Sequence, residues 1–186
     1  MVKNLFSIEG KIALVTGGSR GIGEMIAAGF LASGAKVYIS SRKADACEAT
    51  ARRLVEEHGG ECVSLPADVS RLDGIKTPLF DNFSYGPAKA AVHHLTRVLA
   101  AHLIKENIMV NGIAPGPFPT WMLSAGVGFG GEVEGQDWDL VGSRNPRGRV
   151  GTMEDIAGVA IFLSSRASGF TVGDIITCDG GAVAAS

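Results

Sequence analysis

The stretch Lys11-Ile-Ala-Leu-Val-Thr-Gly-Gly-Ser-Arg-Gly-Ile-Gly23 decides the fold of this chain. Its apolar run, Ile12 to Val15, predicts a buried strand, and a helical pattern over 21–33 follows the glycines. The order of strand, glycine turn and helix N-terminus brings free backbone N–H groups and a positive dipole end together, as a pyrophosphate site requires. The predicted dinucleotide-binding residues of this turn are Gly17, Ser19, Arg20, Gly21, Ile22 and Gly23.

A second β-like run at 36–40 completes a β-α-β unit, and the residues after it select the cofactor. An acid there would bind the ribose hydroxyls of NAD, whereas a base accommodates a 2′-phosphate. The chain has Ser41 and Arg42 at this point and no acid before Asp45, while Arg20 adds a second positive charge. We therefore predict NADP, bound in part by Ser41 and Arg42, although the alternative remains that Arg42 and Lys43 are ordinary solvated charges.

The bulk composition indicates one globular domain spanning residues 1–186, with 46% apolar and 19% charged residues. A net charge of −2 gives no support to a nucleic-acid or anionic-membrane partner. The three cysteines, Cys47, Cys62 and Cys178, are widely spaced and predict reduced thiols in a cytoplasmic protein without a metal site. Neither a signal peptide nor an apolar run of about 18 residues is present, so we expect no membrane span.

Periodicity along the chain predicts an α/β protein with parallel strands. The expected strands are 12–16, 36–40, 61–65, 108–113 and 174–178, and the expected helices are 21–33, 44–58, 84–107 and 153–165.

Tyr85 and Lys89 are candidate catalytic residues, because a spacing of four places both on one helix face. A Lys ammonium beside a Tyr hydroxyl favours the phenolate and lowers the pKa of the Tyr towards the range of a general acid/base. Taken alone, such a pair is more often a packing Tyr and a solvated Lys.

Together these motifs resemble the short-chain dehydrogenase/reductase family, and in detail the bacterial 3-oxoacyl-reductase type. The matching pieces are the glycine turn at 16–23, Asp68-Val69, Tyr85-Gly-Pro-Ala-Lys89, Asn111 to Gly116 with Thr120, and Asp179-Gly-Gly181. The resemblance implies a Rossmann-type doubly wound parallel sheet of strand order 3-2-1-4-5-6-7 and a homodimer or homotetramer. It also implies an NADP-dependent enzyme that interconverts a carbonyl and a secondary alcohol on a small molecule such as a 3-oxoacyl substrate.

The same resemblance assigns roles to single residues. Tyr85 exchanges the proton with the substrate, and Lys89 activates it and holds the nicotinamide ribose. Pro115, Gly116 and Thr120 belong to the loop that touches the nicotinamide amide. The last predicted cofactor residues are Asp68 and Val69.

The chain departs from the family between strand 3 and the helix that carries Tyr85. The family has several tens of residues there, which form strands 4 and 5 and supply a catalytic Asn and Ser. Here Asp68 and Tyr85 are only 17 positions apart, and Asn-Ala-Gly does not occur. The join lies near 70–72. Without strands 4 and 5, we expect strand 1 to have an exposed edge and the sheet to form two halves.

Two explanations fit this join. Either the molecule contains residues that the sequence does not include, which the intact flanking motifs favour, or the chain is a genuine deletion. In the second case we expect a catalytically impaired nucleotide binder or an interaction partner. A separate open question concerns four large side chains, which either line a substrate pocket or belong to the core: Phe118, Trp121, Met122 and Phe129.

Overall fold

The computed structural model describes residues 4–67, 85–127 and 130–185, and of residues 85–88 only the helical backbone. The strands are β1 (Ile12–Thr16), β2 (Lys36–Ser40), β3 (Cys62–Ser64), β4 (Gly112–Pro115) and β5 (Ile175–Cys178). The helices are α1 (Gly21–Ala32), α2 (Ala44–His58), α3 (Tyr85–Leu103), α4 (Trp121–Gly126), α5 (Trp138–Gly142) and α6 (Met153–Ser164). Predictions that lie outside the described residues concern Asp68, Val69, Phe129 and the join near 70–72.

The first three strands form a parallel sheet in the order β1-β2-β3. Leu14 pairs with Tyr38, and Tyr38 in turn pairs with Val63. The predicted bounds of β1, β2 and α2 are confirmed, and those of β3, α1, α6 and β5 differ by one residue at one or both ends. The β-α-β unit that a dinucleotide site requires is therefore present.

The predicted strand at 108–113 is wrong in its first four residues, since β4 begins only at Gly112, and it ends two residues later than predicted, at Pro115. Side-chain bonding replaces strand pairing just before it: Asn111 Nδ2 donates to the Thr171 carbonyl at 2.8 Å, and Asn111 Oδ1 accepts from Asp174 N–H at 3.0 Å. The predicted long helix also ends early, at Leu103, and a 3₁₀ turn over Ile104–Glu106 leads to Asn107 in the left-handed conformation.

The core lies on one face of the β1-β2-β3 sheet. Val37 and Ile39 point to this face and are fully buried. Helices α1 and α2 cover it, and their fully or almost fully buried residues are Ala27, Ala28, Leu31, Cys47, Ala51 and Leu54. Because side chains alternate between the two faces of a strand, Val37 and Ile39 of β2 both point to the face that the helices cover.

Helices α1 and α6 join the two halves of the molecule. Gly29 of α1 lies so close to Ala157 of α6 that a Cβ at position 29 would collide with the Ala157 methyl group. Lys11 Nζ also donates to the Ser164 carbonyl at the end of α6 at 2.6 Å. This contact ties the second sheet, β4-β5, to the first.

The other face of the first sheet is open to solvent. Ile12 and Leu14 of β1 are 74% and 62% exposed, although strand 1 of such a sheet is ordinarily central. Helix α3 likewise leaves Val92 and Leu95 half exposed. Among the described residues, β1 is an outer strand of its sheet and β4-β5 form a second sheet, as expected for an exposed edge of strand 1 and two half-sheets. Within the described residues, no helix is both long enough and apolar enough to cross a membrane.

Candidate functional site

The glycine turn between β1 and α1 folds tightly onto the end of β2. Gly17 N–H donates to the Ser40 carbonyl at 2.7 Å, with Gly17 at φ +74°. A Cβ on Gly18 would lie 2.8 Å from Ile39 Cγ2, and one on Gly23 would collide with the Gly17 carbonyl oxygen. Gly18 and Gly23 are therefore required by packing. The sequence analysis missed Gly18, which the pattern leaves as a variable position.

The outer side of the same turn is open. A Cβ on Gly17 would meet no atom within 4 Å, so space remains above the turn. Helix α1 starts here, and its N-cap residue Arg20 makes no side-chain cap hydrogen bond to the free N–H groups of the first turn. Unfilled space, free donors and the positive end of the helix dipole together fit a pyrophosphate.

Helix α2 fixes the position of the turn. Thr50 Oγ1 donates to the Ser19 carbonyl at 3.0 Å from a largely buried position. Arg53 forms an ion pair with Glu24, and this hydrogen bond raises the pKa of Arg53. The pairing matters because an unneutralised Glu24 in the first turn of α1 would repel a bound phosphate.

The end of β2 provides the second predicted set of cofactor residues. Ser41 Oγ donates to the Lys43 carbonyl at 3.3 Å, and the Ser41 carbonyl accepts from Ala67 N–H at 3.0 Å. The chain that follows β3 therefore returns to the end of β2. Arg42 is exposed here, as is Arg20 on the neighbouring turn, so two cations lie at one end of the sheet.

The loop after β4 reaches the glycine turn. Gly116 N–H donates to the Cys178 carbonyl at 3.0 Å, and a Cβ on Gly116 would lie 2.6 Å from Asp179 Cα. Further along, Thr120 caps α4 by accepting from Leu123 N–H at 3.2 Å. A Cβ on Gly21 would lie 3.3 Å from Thr120 Cγ2. The structure thus brings two motifs that are a hundred residues apart in the chain into contact.

A buried amide that the sequence analysis missed supports this loop. Asn145 is 7% exposed, donates from Nδ2 to the Asp179 carbonyl at 2.8 Å and accepts from Arg147 N–H at 2.9 Å. The Asp179 carboxylate accepts from Val183 N–H and Gly181 N–H, and these hydrogen bonds lower the pKa of Asp179. The turn sequence Asn-Pro followed by Gly148 signals a loop but not this contact.

The open question about the large apolar side chains receives different answers for different residues. Phe118 is 3% exposed and packs on Gly151, so it belongs to the core. Trp121 and Met122 are each 53% exposed and do not. The Trp121 ring instead lies against the glycine turn, with its centroid 5.8 Å from the guanidinium carbon of Arg20.

Tyr85 and Lys89 lie one helical turn apart at the start of α3. The Lys89 side chain is exposed, and the Tyr85 side chain lies outside what the structure describes. Thr96 and Ala100 are the buried residues of the described part of this helix, and Ala100 lies against Gly173. The catalytic roles of Tyr85 and Lys89 accordingly stay predictions.

A cavity of about 290 Å³ adjoins the loop after β4. It is shared by the loop, the end of α4 and helix α5, and its lining is mostly apolar with one cation: Pro117, Val127, Leu140, Val141, Arg144, Asn145 and Ala182. Such a cavity is the kind that holds a small organic molecule.

Two family models match adjoining parts of the chain, which together span residues 11–183. The profile described as short chain dehydrogenase matches residues 11–79, and the one described as Enoyl-(Acyl carrier protein) reductase matches residues 79–183. Together they cover the glycine turn, α3 and the loop after β4.

Similar proteins have names that point to oxidoreduction. The rhamnolipids biosynthesis 3-oxoacyl-[acyl-carrier-protein] reductase of Pseudomonas aeruginosa is 32% identical over 95% of this chain and 97% of that protein. The gluconate 5-dehydrogenase of Gluconobacter oxydans is 28% identical over 96% of each. A solved RhlG/NADP active-site complex from Pseudomonas aeruginosa superposes with a TM-score of 0.78 at 31% identity, covering 96% of this chain and 98% of that one. The predicted Rossmann-type fold is thereby confirmed.

The first of these alignments also measures the departure noted in the sequence. It runs over 256 positions, whereas this chain has 186 residues, so at least 70 positions of the relative have no counterpart here.

Proposed function

This chain belongs to the short-chain dehydrogenase/reductase family, and we propose that it is an NADP-dependent oxidoreductase that interconverts a carbonyl and a secondary alcohol. The observation that carries the proposal is the contact between the glycine turn at Gly21 and the loop at Thr120. The turn that we propose to bind the pyrophosphate thus lies close to a residue that the family resemblance assigns to the nicotinamide, which supports the proposal. The similar RhlG/NADP complex from Pseudomonas aeruginosa supports the choice of cofactor.

The residues present fit this cofactor. The open side of Gly17 would receive the pyrophosphate, while Ser41 and the exposed cations Arg20 and Arg42 would hold the 2′-phosphate. Pro115, Gly116 and Thr120 would hold the nicotinamide amide. The other proposed cofactor residues are Ser19, Ile22, Gly23, Asp68, Val69, Tyr85 and Lys89. When bound, the nicotinamide supplies or accepts the hydride.

Tyr85 and Lys89 are the proposed catalytic pair. In the reductive direction the Tyr85 hydroxyl gives its proton to the carbonyl oxygen, and in the oxidative direction the phenolate takes it back. Lys89, one turn later on α3, favours the phenolate by its charge. A Tyr85→Phe variant should lose turnover, and its dinucleotide affinity should fall far less than its turnover.

The substrate we propose is a 3-oxoacyl compound or a similar carbonyl. The mostly apolar cavity next to the loop after β4 suits an acyl chain, and Arg144 at its wall would attract an anionic group. The 3-oxoacyl relative supports an acyl substrate. The gluconate 5-dehydrogenase relative supports the competing choice of a sugar acid, so both belong in a substrate panel.

Binding of NADPH, followed by the fluorescence of the reduced nicotinamide, tests the cofactor site. Gly17→Ala adds a methyl group to the open side of the turn and should weaken binding at least tenfold. Gly135→Ala is the matched control, because Gly135 also has a positive φ, +72° against +74°, and also faces open space. Equal affinity of the two variants would contradict the proposed site.

A second candidate function is nucleotide binding without catalysis, in a chain that acts as an interaction partner. It is favoured by the 70 or more positions of the relative that lack a counterpart and by the exposed β1 strand. NADPH oxidation with 3-oxoacyl thioesters and keto sugar acids separates the two functions. Binding without turnover on any of these carbonyls supports the second.

For the NADP-dependent oxidoreductase, we also propose that the protein is located in the cytoplasm and assembles as a homodimer or homotetramer.

A further inference from the structure

The contact between Trp121 and Arg20 joins the cofactor turn to the start of α4. The guanidinium carbon of Arg20 lies 5.8 Å from the centroid of the Trp121 ring, within the distance of a cation–π interaction. Among residues 4–67, 85–127 and 130–185, no carboxylate forms an ion pair with Arg20. Within these ranges, the indole is the aromatic group that contacts this guanidinium.

The indole is itself held on the loop that follows α4. Gly131, at φ +92°, lies so close that a Cβ there would be 2.9 Å from Trp121 Cε2 and 3.1 Å from Cδ1. Ser124 Oγ of α4 donates to the carbonyl of Glu132, the residue after Gly131, and so ties this segment to the helix that carries Trp121. Thr120, the residue before Trp121, is fixed by the hydrogen bond that its Oγ1 accepts from Leu123 N–H at 3.2 Å. Trp121 thus presents its ring from a supported position although 53% of the residue is exposed.

A guanidinium held over the face of an aromatic ring keeps its edge N–H donors available. A phosphate accepts such donors in pairs. The contact also restricts the rotamers of Arg20, so less freedom is lost when a phosphate binds. The second contact, between Gly21 and Thr120, fixes the position of the glycine turn relative to the N-terminus of α4.

We propose that Trp121 is a positioning residue that orients Arg20 for the 2′-phosphate and so sets the preference for NADP(H) over NAD(H). The inference rests on the proposed function. Because Trp121 acts through the cation that meets the extra phosphate, its removal should affect only the dinucleotide that carries this group.

The test compares dissociation constants for NADPH and NADH, both followed by nicotinamide fluorescence. Trp121→Leu should weaken NADPH binding about two- to fivefold, the size of an exposed cation–π contact, and leave NADH binding unchanged. Trp121→Phe keeps an aromatic face and should restore most of the NADPH affinity. In an Arg20→Ala background, Trp121→Leu should have no further effect.

Phe170→Leu is the matched control, because it also replaces an aromatic side chain with Leu, but at a fully exposed position just after the 3₁₀ turn of Arg166–Ser168. Its ratio of NADPH to NADH affinity should equal that of the unmodified protein. Thermal unfolding of each variant checks the fold. If the Trp121→Leu variant loses affinity for NADPH and NADH equally, or loses affinity for neither, the inference about Trp121 is overturned while the proposed function stands. An unmodified protein that binds neither dinucleotide would overturn the proposed function and this inference with it.

Discussion

Helices α2 and α3 are both long and both carry several apolar residues, but they bury them to very different extents. Leu54 of α2 is 1% exposed against the first sheet, whereas Leu95 of α3 is 52% exposed. Both helices have an apolar face of ordinary helical spacing. The difference teaches that the periodicity of a helix says which residues share a face, while the presence of an opposing layer decides whether that face is buried.

The largest expected effect is on the free energy of unfolding. Leu54→Ala removes a fully packed side chain and should cost about 2–5 kcal/mol. Leu95→Ala makes the same chemical change on an exposed face and should cost less than about 0.5 kcal/mol. Urea unfolding followed by circular dichroism measures both. Similar losses for the two variants would show that α3 is covered by another layer in solution.

Helix α6 differs from the exposed part of α3 because an ion pair ties its first turn to the preceding loop. We expect a smaller effect on the free energy of unfolding there. Arg149 donates to both oxygens of Asp155 at 2.5 and 3.0 Å, and this ion pair holds the pKa of the Asp155 carboxyl well below its usual range. A lowered pKa in the folded state stabilises the fold above about pH 3.9, the value of an unfolded Asp. That contribution is lost as the pH falls below this value.

The pair is partly exposed, so its contribution should be on the order of 1 kcal/mol. Urea midpoints at pH 7 and pH 3 measure it in the unmodified protein and in Asp155→Asn. The variant should be less stable at pH 7 and should show a smaller change between the two pH values. An unchanged pH dependence in the variant would mean that Asp155 does not contribute.

The smallest expected effect concerns the open face of β1. Leu14→Thr replaces a side chain that is 62% exposed with another good strand former, so the unfolding free energy should change by less than about 0.5 kcal/mol. Concentration-dependent light scattering should instead decrease, because an exposed apolar strand promotes self-association. A loss of several kcal/mol would indicate that another layer covers this face.

The predictable parts of the molecule are those that local chemistry determines. The glycine turn, β1, β2 and α2 follow from glycine spacing and from apolar periodicity over short stretches. The start of β4 was missed because Asn111 forms side-chain bonds to residues about sixty positions away, at Thr171 and Asp174. No local pattern contains such partners.

The candidate site also contains parts that the local sequence predicts and parts that depend on distant residues. The turn and the loop after β4 were each recognisable, but the meeting of Gly21 with Thr120 and of Arg20 with Trp121 depends on the packing of the whole chain. Asn145 is a similar case, since its amide is needed only where the Asp179 backbone arrives. Tyr85 and Lys89 stay predictions, based on spacing and on the family resemblance.

The close approach of Gly29 to Ala157 has a mechanical consequence. Among the described residues, the two sheets share no ladder of hydrogen bonds, and the α1–α6 contact is the principal joint between them. Packed helices slide by small shear movements, whereas paired strands do not. We therefore expect relative movement of the two sheets to take the form of a small shift of α6 along α1. Such a shift would change the distance between Gly21 and Thr120, so a methyl group at position 29 should alter the spacing of the glycine turn and the loop after β4 from a distance.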